Sequence, residues 1–184
     1  MTAHAQLKSW HMLQDCITAL EMLRNAVDDP DGGKRVPVLW IASVTMLRAV
    51  GHVLQKVDAA SNPEVKRLLK EAWPHWQSDP VFRELEGYRN KTLKEYDFGW
   101  KHRVVPVWQA PHEKPEDDPN VRHYGFLMFH GEPGDAVEML WRVWHWWMDR
   151  VGNLGHLIGP EPLSNRQKTY DCFIGSARNT RQTP

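Results

Sequence analysis

Apolar residues recur at steps of three and four along most of this sequence, in stretches far longer than a typical β-strand. This spacing places the apolar side chains on one side of an α-helix, where they can be buried together. The stretches cover residues 5–27, 38–59, 62–76, 78–98 and a last one that begins at 134 or 135. We therefore predict a mainly α protein whose four to five helices pack as a bundle.

Capping residues and prolines mark the predicted helix ends. Asn62 stands directly before a proline and is a candidate cap for the third helix. Ser78 and Asp79 also precede a proline, and either of them could cap the fourth helix. Proline is tolerated in the first turn of a helix because its missing N–H would have no partner there. Pro74 lies within the third stretch and is predicted to kink or end that helix.

The composition changes between the last two predicted helices. Residues 102–108 and 121–129 are rich in β-branched and aromatic residues, and the acidic, proline-rich stretch between them is typical of a loop. We predict a two-stranded β excursion near 102–130, in which Pro106 restricts the first strand to an edge or breaks it. A single domain then covers 1–158, with the excursion inserted at 101–131, and a polar C-terminal tail follows at 159–184.

Length, charge and cysteine content limit the class of protein. A chain of 184 residues with 41% hydrophobic content can bury one sizeable core. The 23 basic and 23 acidic side chains balance, so any site for a polyanion must be local. The sequence has two distant cysteines, and it shows no N-terminal signal pattern and no apolar run long enough to span a bilayer. We therefore predict a soluble, cytoplasmic protein without membrane contact. The ten tryptophans favour a tightly packed core or a large subunit interface.

The stretch 78–98 places one cation in the middle of an apolar stripe. The stripe consists of Phe82, Leu85, Arg89, Leu93 and Tyr96. An arginine keeps its charge, so its burial is costly unless carboxylates, carbonyl groups or an anionic ligand accept hydrogen bonds from its five donors. Asn90 and Lys94 flank the stripe one turn apart. Two interpretations stay open, a structural arginine in the core and an arginine that binds an anion.

A second polar pair lies on the predicted helix 38–59. Arg48 and His52 are one turn apart on an otherwise apolar helix. Three interpretations stay open for this pair. It lies at a solvated edge of the helix, its histidine is a hydrogen-bonded core residue, or the pair supports the site around Arg89.

The eight residues RNKTLKEY, 89–96, resemble the signature motif of the HEPN superfamily. That motif has an arginine, a polar residue such as asparagine, and a histidine a few positions later. In HEPN proteins paired with minimal nucleotidyltransferases, a tyrosine follows two places after the histidine. Arg89, Asn90 and Tyr96 match this spacing, and Lys94 occupies the histidine position. The resemblance implies a HEPN-like up-and-down helical bundle that forms a homodimer and acts on RNA without a metal ion.

The resemblance also implies roles for these residues. In the family, the arginine and the histidine of two protomers meet at the dimer interface and cleave RNA, and a nucleotidyltransferase antitoxin modifies the tyrosine. A toxin–antitoxin or defence role follows, with Arg89, Asn90, Lys94 and Tyr96 as site residues. A lysine exchanges protons near neutral pH only if burial or a nearby cation lowers its pKa by several units. Otherwise it binds phosphate as a point charge, which implies a ribonuclease with an altered site.

Two other interpretations stay open. A non-catalytic dimeric helical-bundle protein, in which Arg89, Asn90 and Lys94 organise an interface, would explain the tryptophans equally well. A metal site in the β excursion is the third interpretation. Its ligands would come from His102, His112, His123 and His130, with Glu113 or Asp117 nearby. Their spacing matches no compact ligand pattern, so we predict neither a metal nor a cofactor.

Overall fold

A computed structural model describes residues 7–107, 122–130 and 134–159 of the chain. In these ranges it contains five helices and one β-hairpin, which confirms the predicted mainly α bundle with a small β excursion. The elements are α1 (Lys8–Asp28), α2 (Val36–Ser61), α3 (Pro63–Ser78), α4 (Pro80–Asn90), β1 (Trp100–Val107), β2 (Arg122–Phe129) and α5 (Ala136–Ile158). The predicted tail lies outside the described residues, apart from Gly159.

The helices α1 and α2 form an antiparallel pair, because the beginning of α1 meets the end of α2. The α-helical part of α2 changes at Leu54–Asp58 into a π-helical turn. Asp58 in this turn is buried, and its carboxylate accepts hydrogen bonds from the backbone N–H groups of Lys8 at 2.8 Å and Ser9 at 3.0 Å. The first turn of α1 has no side-chain cap from its own N-cap residue, so Asp58 stabilises it from another helix.

The helix α4 runs antiparallel to α2. Near the beginning of α2, the Trp40 indole N–H donates to the Thr92 hydroxyl just beyond α4, at 3.0 Å, whereas further along α2 Arg48 pairs with Glu86. The helix α5 in turn runs antiparallel to α1. Its Trp144 indole N–H donates to the Leu13 carbonyl at 3.0 Å. The helices α1, α2, α4 and α5 therefore alternate in direction around one core.

Large aromatic rings fill the core where α3, α4 and α5 meet. Neighbouring rings lie with their centroids 4.7 to 6.5 Å apart, mostly in edge-to-face arrangements, which suit the charge distribution of aromatic rings. They belong to Trp73, Trp76, Phe82, Trp146 and Trp147. These tryptophans are core residues of the single chain.

The structure corrects one predicted helix end and selects one cap. Pro74 does not end α3, which continues to Ser78, and Pro74 itself is exposed. Asn62 caps α3 as predicted, because its side chain accepts from the N–H groups of the first turn. Of the two candidate caps for α4, Asp79 takes the role and accepts from the Val81 N–H at 2.9 Å.

The strands β1 and β2 form an antiparallel hairpin whose inner face docks on the end of α1. The register pairs Trp100 with Phe129 at one end, and Pro106 lies within β1 without breaking it. His102 shares a hydrogen bond with the Val27 carbonyl at 2.8 Å. Gly125 faces the same carbonyl so closely that any side chain there would collide with the backbone of α1.

The arginine Arg24 holds the hairpin in this position. Its guanidinium donates to the carboxylates of Asp28 and Asp135, both at 3.0 Å, and to the Gly125 carbonyl at 2.6 Å. Asp135 also accepts from the Leu127 N–H at 3.1 Å. The end of α1, the strand β2 and the beginning of α5 are thus joined by one charged network.

The helix α2 is long and apolar enough to cross a membrane by length and composition, which corrects the prediction that no such stretch exists. The same composition is typical of a core helix of a bundle. Trp40, Val44, Leu47 and Leu54 are fully buried against the other helices, and Arg48 pairs with α4. We interpret the apolar character of α2 as core packing.

Candidate functional site

The predicted motif lies where α4 changes into a π-helical turn. The α-helical part ends at Asn90, the π-helical turn covers Lys91–Glu95, and Tyr96 follows in the left-handed conformation with φ 52° and ψ 31°. A π-helical turn contains more residues than an α-helical turn, so the side chains beyond it point in other directions than a regular helix predicts.

This turn changes which side chains of the predicted stripe are buried. Phe82 and Leu85 are buried as expected. Thr92, rather than Leu93, takes the buried position within the turn, where its hydroxyl accepts from the Trp40 indole N–H. Leu93 is 43% exposed and Tyr96 73% exposed. The single stripe predicted from the sequence therefore ends near Arg89.

Arg89 is partly buried at the point where the stripe ends. One of its terminal nitrogens donates to the side-chain oxygen of Asn90 at 2.9 Å. In the described ranges no carboxylate pairs with Arg89. A neutral amide oxygen is therefore the acceptor that positions this guanidinium.

The other partly or fully buried arginines of the described residues all pair with carboxylates. Arg24 pairs with Asp28 and Asp135. Arg48 pairs with Glu86, and Arg150 pairs with Asp79. Arg89 is the exception in this group, which the sequence alone does not show.

The predicted supporting pair separates in the structure. Arg48 reaches Glu86 on α4 and also lies over the Phe82 ring, with 5.5 Å between the guanidinium carbon and the ring centroid. His52 is exposed. Glu86 stands three residues before Arg89, a spacing at which side chains of a helix are neighbours. Arg48 thus engages a carboxylate that lies about one helical turn from Arg89.

Charged side chains of both signs surround the end of α4. Lys91 and Lys94 are exposed, and so are Glu95 and Asp97. Asp97 accepts from the Gly99 N–H at 2.9 Å and shapes the turn that leads into β1. Lys94 is therefore a surface residue that the bundle does not enclose.

Aromatic contacts fix the end of α4 against the hairpin. Tyr88, next to Arg89, stacks on Phe129 with 4.8 Å between ring centroids. Trp40 makes edge contacts with both Tyr88 and Trp100, at 6.1 and 5.6 Å. Tyr88, the residue before Arg89, is therefore held by packed rings, while Lys91, two residues after Arg89, is exposed.

The sequence analysis missed the arginine that is most deeply buried. Arg150 of α5 is 5% exposed; it pairs with Asp79 at 2.8 Å and lies over the Trp146 ring at 3.7 Å. Burial lowers the pKa of Arg150 to about 10, although the nearby Asp79 and Asp149 raise it, so the side chain stays charged at neutral pH. Its partners make Arg150 a structural residue of the core.

The metal alternative and a thiol nucleophile find no support in the described part of the chain. No group of three His, Cys, Asp or Glu side chains there could hold a metal ion. His112, Glu113 and Asp117 lie outside the described residues. Burial, with a smaller contribution from Asp15, raises the pKa of the Cys16 thiol to about 12, which keeps it protonated and unreactive.

No family model matches the chain, and neither a curated protein nor a solved structure matches it. The HEPN resemblance of residues 89–96 therefore stays a prediction.

Proposed function

We propose that the protein is a HEPN-like homodimer that binds RNA through the end of α4 and serves a toxin–antitoxin or defence role. One observation carries the proposal. Of the four arginines that the structure describes as partly or fully buried, Arg89 is the one that pairs with no carboxylate of residues 7–107, 122–130 and 134–159. A charge that remains unneutralised in a partly buried place is typical of an anion-binding residue.

The geometry of Arg89 suits a phosphate group. Its contact with Asn90 occupies one donor and orients the guanidinium, and the planar fork of the remaining donors matches two phosphate oxygens. Exposed Lys94 adds a second positive charge to the same turn. An RNA backbone presents such phosphates at regular intervals, and dimerisation would provide two of these sites for one strand.

The pair of Arg48 and Glu86 supports this role. Glu86 would otherwise be free to form an ion pair with Arg89 three residues later. Because Arg48 engages Glu86 from α2, the positive charge of Arg89 is left for an external anion. Arg48 is therefore proposed as a positioning residue, which acts through Glu86.

The proposed activity is binding rather than cleavage by Lys94. Metal-independent cleavage needs a group that exchanges protons near neutral pH, and an exposed lysine is a poor choice for that task. Tyr96 is 73% exposed, which fits the modification that the resemblance implies, since a nucleotidyltransferase needs access to the phenol oxygen.

A second candidate function is that of a non-catalytic interaction protein. The observation that favours it is the exposure of Leu93 and Tyr96 on the turn that carries Lys94. Large apolar and aromatic side chains are enriched at the centres of protein interfaces. In this case Arg89 would bind a carboxylate of a partner protein instead of a phosphate.

The test is a binding titration of a fluorescent single-stranded RNA with the wild-type chain and two arginine variants. Arg89→Gln should weaken binding by about tenfold or more, because it removes hydrogen bonds between charged groups. Arg83→Gln is the matched control, since Arg83 is an exposed arginine on the same helix, and its effect should stay within about twofold. Equal effects of the two variants would contradict the proposal.

A cleavage assay separates binding from catalysis. The wild-type chain should bind the RNA and leave it intact in the presence of EDTA. Lys94→His introduces a side chain that titrates near neutral pH at the position of the family histidine, and appearance of cleavage would support the HEPN-like arrangement. Metal-independent cleavage by the wild type that survives Lys94→Ala would show that other residues carry the chemistry.

A further inference from the structure

The outer face of the β-hairpin combines aromatic, apolar and basic side chains. Strand register places three residue pairs on this face, Lys101 with Met128, Arg103 with Phe126, and Val105 with Tyr124. We call these six residues the ribbon face. Tyr124 is 45% exposed, Val105 41% and Met128 39%, whereas the opposite face of the hairpin is buried at Gly125 and Leu127.

The two aromatic rings of the ribbon face stand side by side. Tyr124 and Phe126 are two residues apart on β2, and their centroids are 6.2 Å apart. The guanidinium of Arg24 lies over the Tyr124 ring at 4.5 Å and is itself fixed by Asp28 and Asp135. Tyr124 is thus held in place from one side and remains accessible.

The two cations of the ribbon face have no acidic partner in the described ranges. Lys101 and Arg103 are exposed and precede Val105 on the same face of β1. Arg103 lies directly opposite Phe126 in the strand register. The ribbon face itself carries no acidic side chain. A protein partner that covered it with an apolar surface would have to bury the charges of Lys101 and Arg103, which is costly.

We propose that the ribbon face binds a single-stranded nucleic acid, with unpaired bases stacked on Tyr124 and Phe126 and phosphates bound by Lys101 and Arg103. Stacked bases on aromatic side chains, with cations along the backbone, are the usual means of binding unpaired strands. A duplex keeps its bases stacked inside and does not offer them to such a surface. The inference rests on the proposed function in one respect, since one RNA strand is taken to contact both sites.

The position of the hairpin makes such a shared strand feasible. The ribbon face begins beside Trp100 and Phe129, and Phe129 stacks on Tyr88, the residue before Arg89. The end of α4 therefore packs on the hairpin at the end where the ribbon face begins. An RNA strand that leaves Arg89 would reach Lys101 first and the two aromatic rings next.

The experiment measures the affinity of the full chain for one fluorescent single-stranded RNA and for its duplex. The double variant Tyr124→Leu and Phe126→Leu keeps the apolar character of the face but removes both rings, and it should weaken single-strand binding by about tenfold or more. Val57→Thr is the control, since Val57 is a valine of similar exposure (44%) on α2, outside the ribbon face, and it should leave the affinity unchanged. Tyr124→Trp retains an aromatic ring and should retain binding.

A second variant keeps the proposal testable if the double variant fails to fold. Arg103→Gln replaces an exposed side chain and should reduce the dependence of binding on salt, lowering the slope of log K against log salt concentration by about 0.7. An unchanged slope would show that Arg103 does not bind a phosphate, and it would overturn the proposed binding of the nucleic-acid backbone along the ribbon face.

The outcomes separate this inference from the proposed function. Loss of binding in the ribbon variants with normal binding by Arg89→Gln supports the ribbon face and contradicts the site at α4. The reverse result overturns the ribbon face and leaves the site at α4 supported. Equal affinity for duplex and single strand, or a change in the monomer–dimer equilibrium of the ribbon variants without a change in RNA affinity, also overturns the inference. The last result would identify the face as a contact between two copies of the chain.

Discussion

Arg150 and Arg89 are both arginines placed among apolar side chains, but their surroundings differ in kind. Arg150 is enclosed by Asp79, the Trp146 carbonyl and two tryptophan rings. Arg89 has an amide as its acceptor in the described ranges and faces the charged end of α4. The comparison teaches that a buried arginine becomes structural when the fold supplies its counter-charge and becomes a candidate binding residue when it does not.

The largest expected effect is that of removing the counter-charge of Arg150. Asp79→Asn should lower the free energy of unfolding by about 3 to 5 kcal/mol, because it leaves a buried guanidinium without a carboxylate. Asparagine still caps a helix, so the beginning of α4 is preserved and the loss reports the ion pair. Urea denaturation measures the effect.

The matched control for Asp79→Asn is Asp149→Asn. Asp149 is an exposed acid beside Arg150 on the same helix, and its loss should cost less than about 0.5 kcal/mol. Similar losses in the two variants would mean that Arg150 does not depend on Asp79, and the contrast with Arg89 would then disappear.

The next largest effect is expected at Arg24, which is less buried than Arg150 but has more charged partners. Arg24→Met should lower the free energy of unfolding by about 2 kcal/mol, since two carboxylates and a carbonyl lose their donor. Faster hydrogen exchange at the Gly125 and Leu127 amides should accompany it, because the carboxylates that accept from them are no longer held.

Arg67 provides the control for Arg24. It also pairs with two carboxylates, but its side chain is 52% exposed, compared with 19% for Arg24. Arg67→Met should therefore cost less than about 0.5 kcal/mol. A loss as large as that of Arg24→Met would show that pairing, and not burial, decides the stability of these contacts.

A smaller effect on stability, with a second effect on binding, is expected at Arg48. Arg48→Met should cost about 1 kcal/mol through loss of the pair with Glu86. It should also weaken RNA binding, because Glu86 becomes free to pair with Arg89. Adding Glu86→Gln should restore the affinity without restoring the stability. If the double variant binds RNA no better than Arg48→Met, Glu86 does not compete for Arg89.

The smallest effect on stability is expected at Arg89 itself. Arg89→Gln should change the free energy of unfolding by less than about 0.5 kcal/mol, because no carboxylate in the described ranges loses a partner. The same variant should lose most of its RNA affinity, as set out above. A stability loss as large as that of Asp79→Asn would instead place Arg89 with Arg150 as a structural residue.

The features that the sequence predicts well are local ones. Asn62 and Asp79 stand at helix beginnings because their short side chains accept from the next turn, and this depends on only a few neighbouring residues. The hairpin follows in the same way from the β-branched and aromatic residues on both sides of a polar loop. These properties need no knowledge of the rest of the chain.

The features that were missed depend on contacts between distant residues. The π-helical turn at Lys91–Glu95 buries Thr92, which bonds Trp40 on another helix, and no local pattern reveals that partner. Arg150 lies three residues after Trp147 and four residues before Leu154. It therefore stands within an apolar stripe, as Arg89 does in the prediction, but it was not identified. Applied to α5, the same criterion would have found it. Arg89 could be predicted as a candidate only, because the partners of a side chain depend on the folded chain, and in the part that the structure describes no carboxylate pairs with Arg89.

Asp58 has a consequence for the order in which the chain acquires structure. The first turn of α1 receives its cap from a residue that lies 50 positions later than Lys8. As the chain is synthesised from its N-terminus, α1 leaves the ribosome long before its stabilising carboxylate exists. The earliest independently ordered unit is therefore the completed pair of α1 and α2, and a nascent chain that stops before residue 58 should have a frayed first helix.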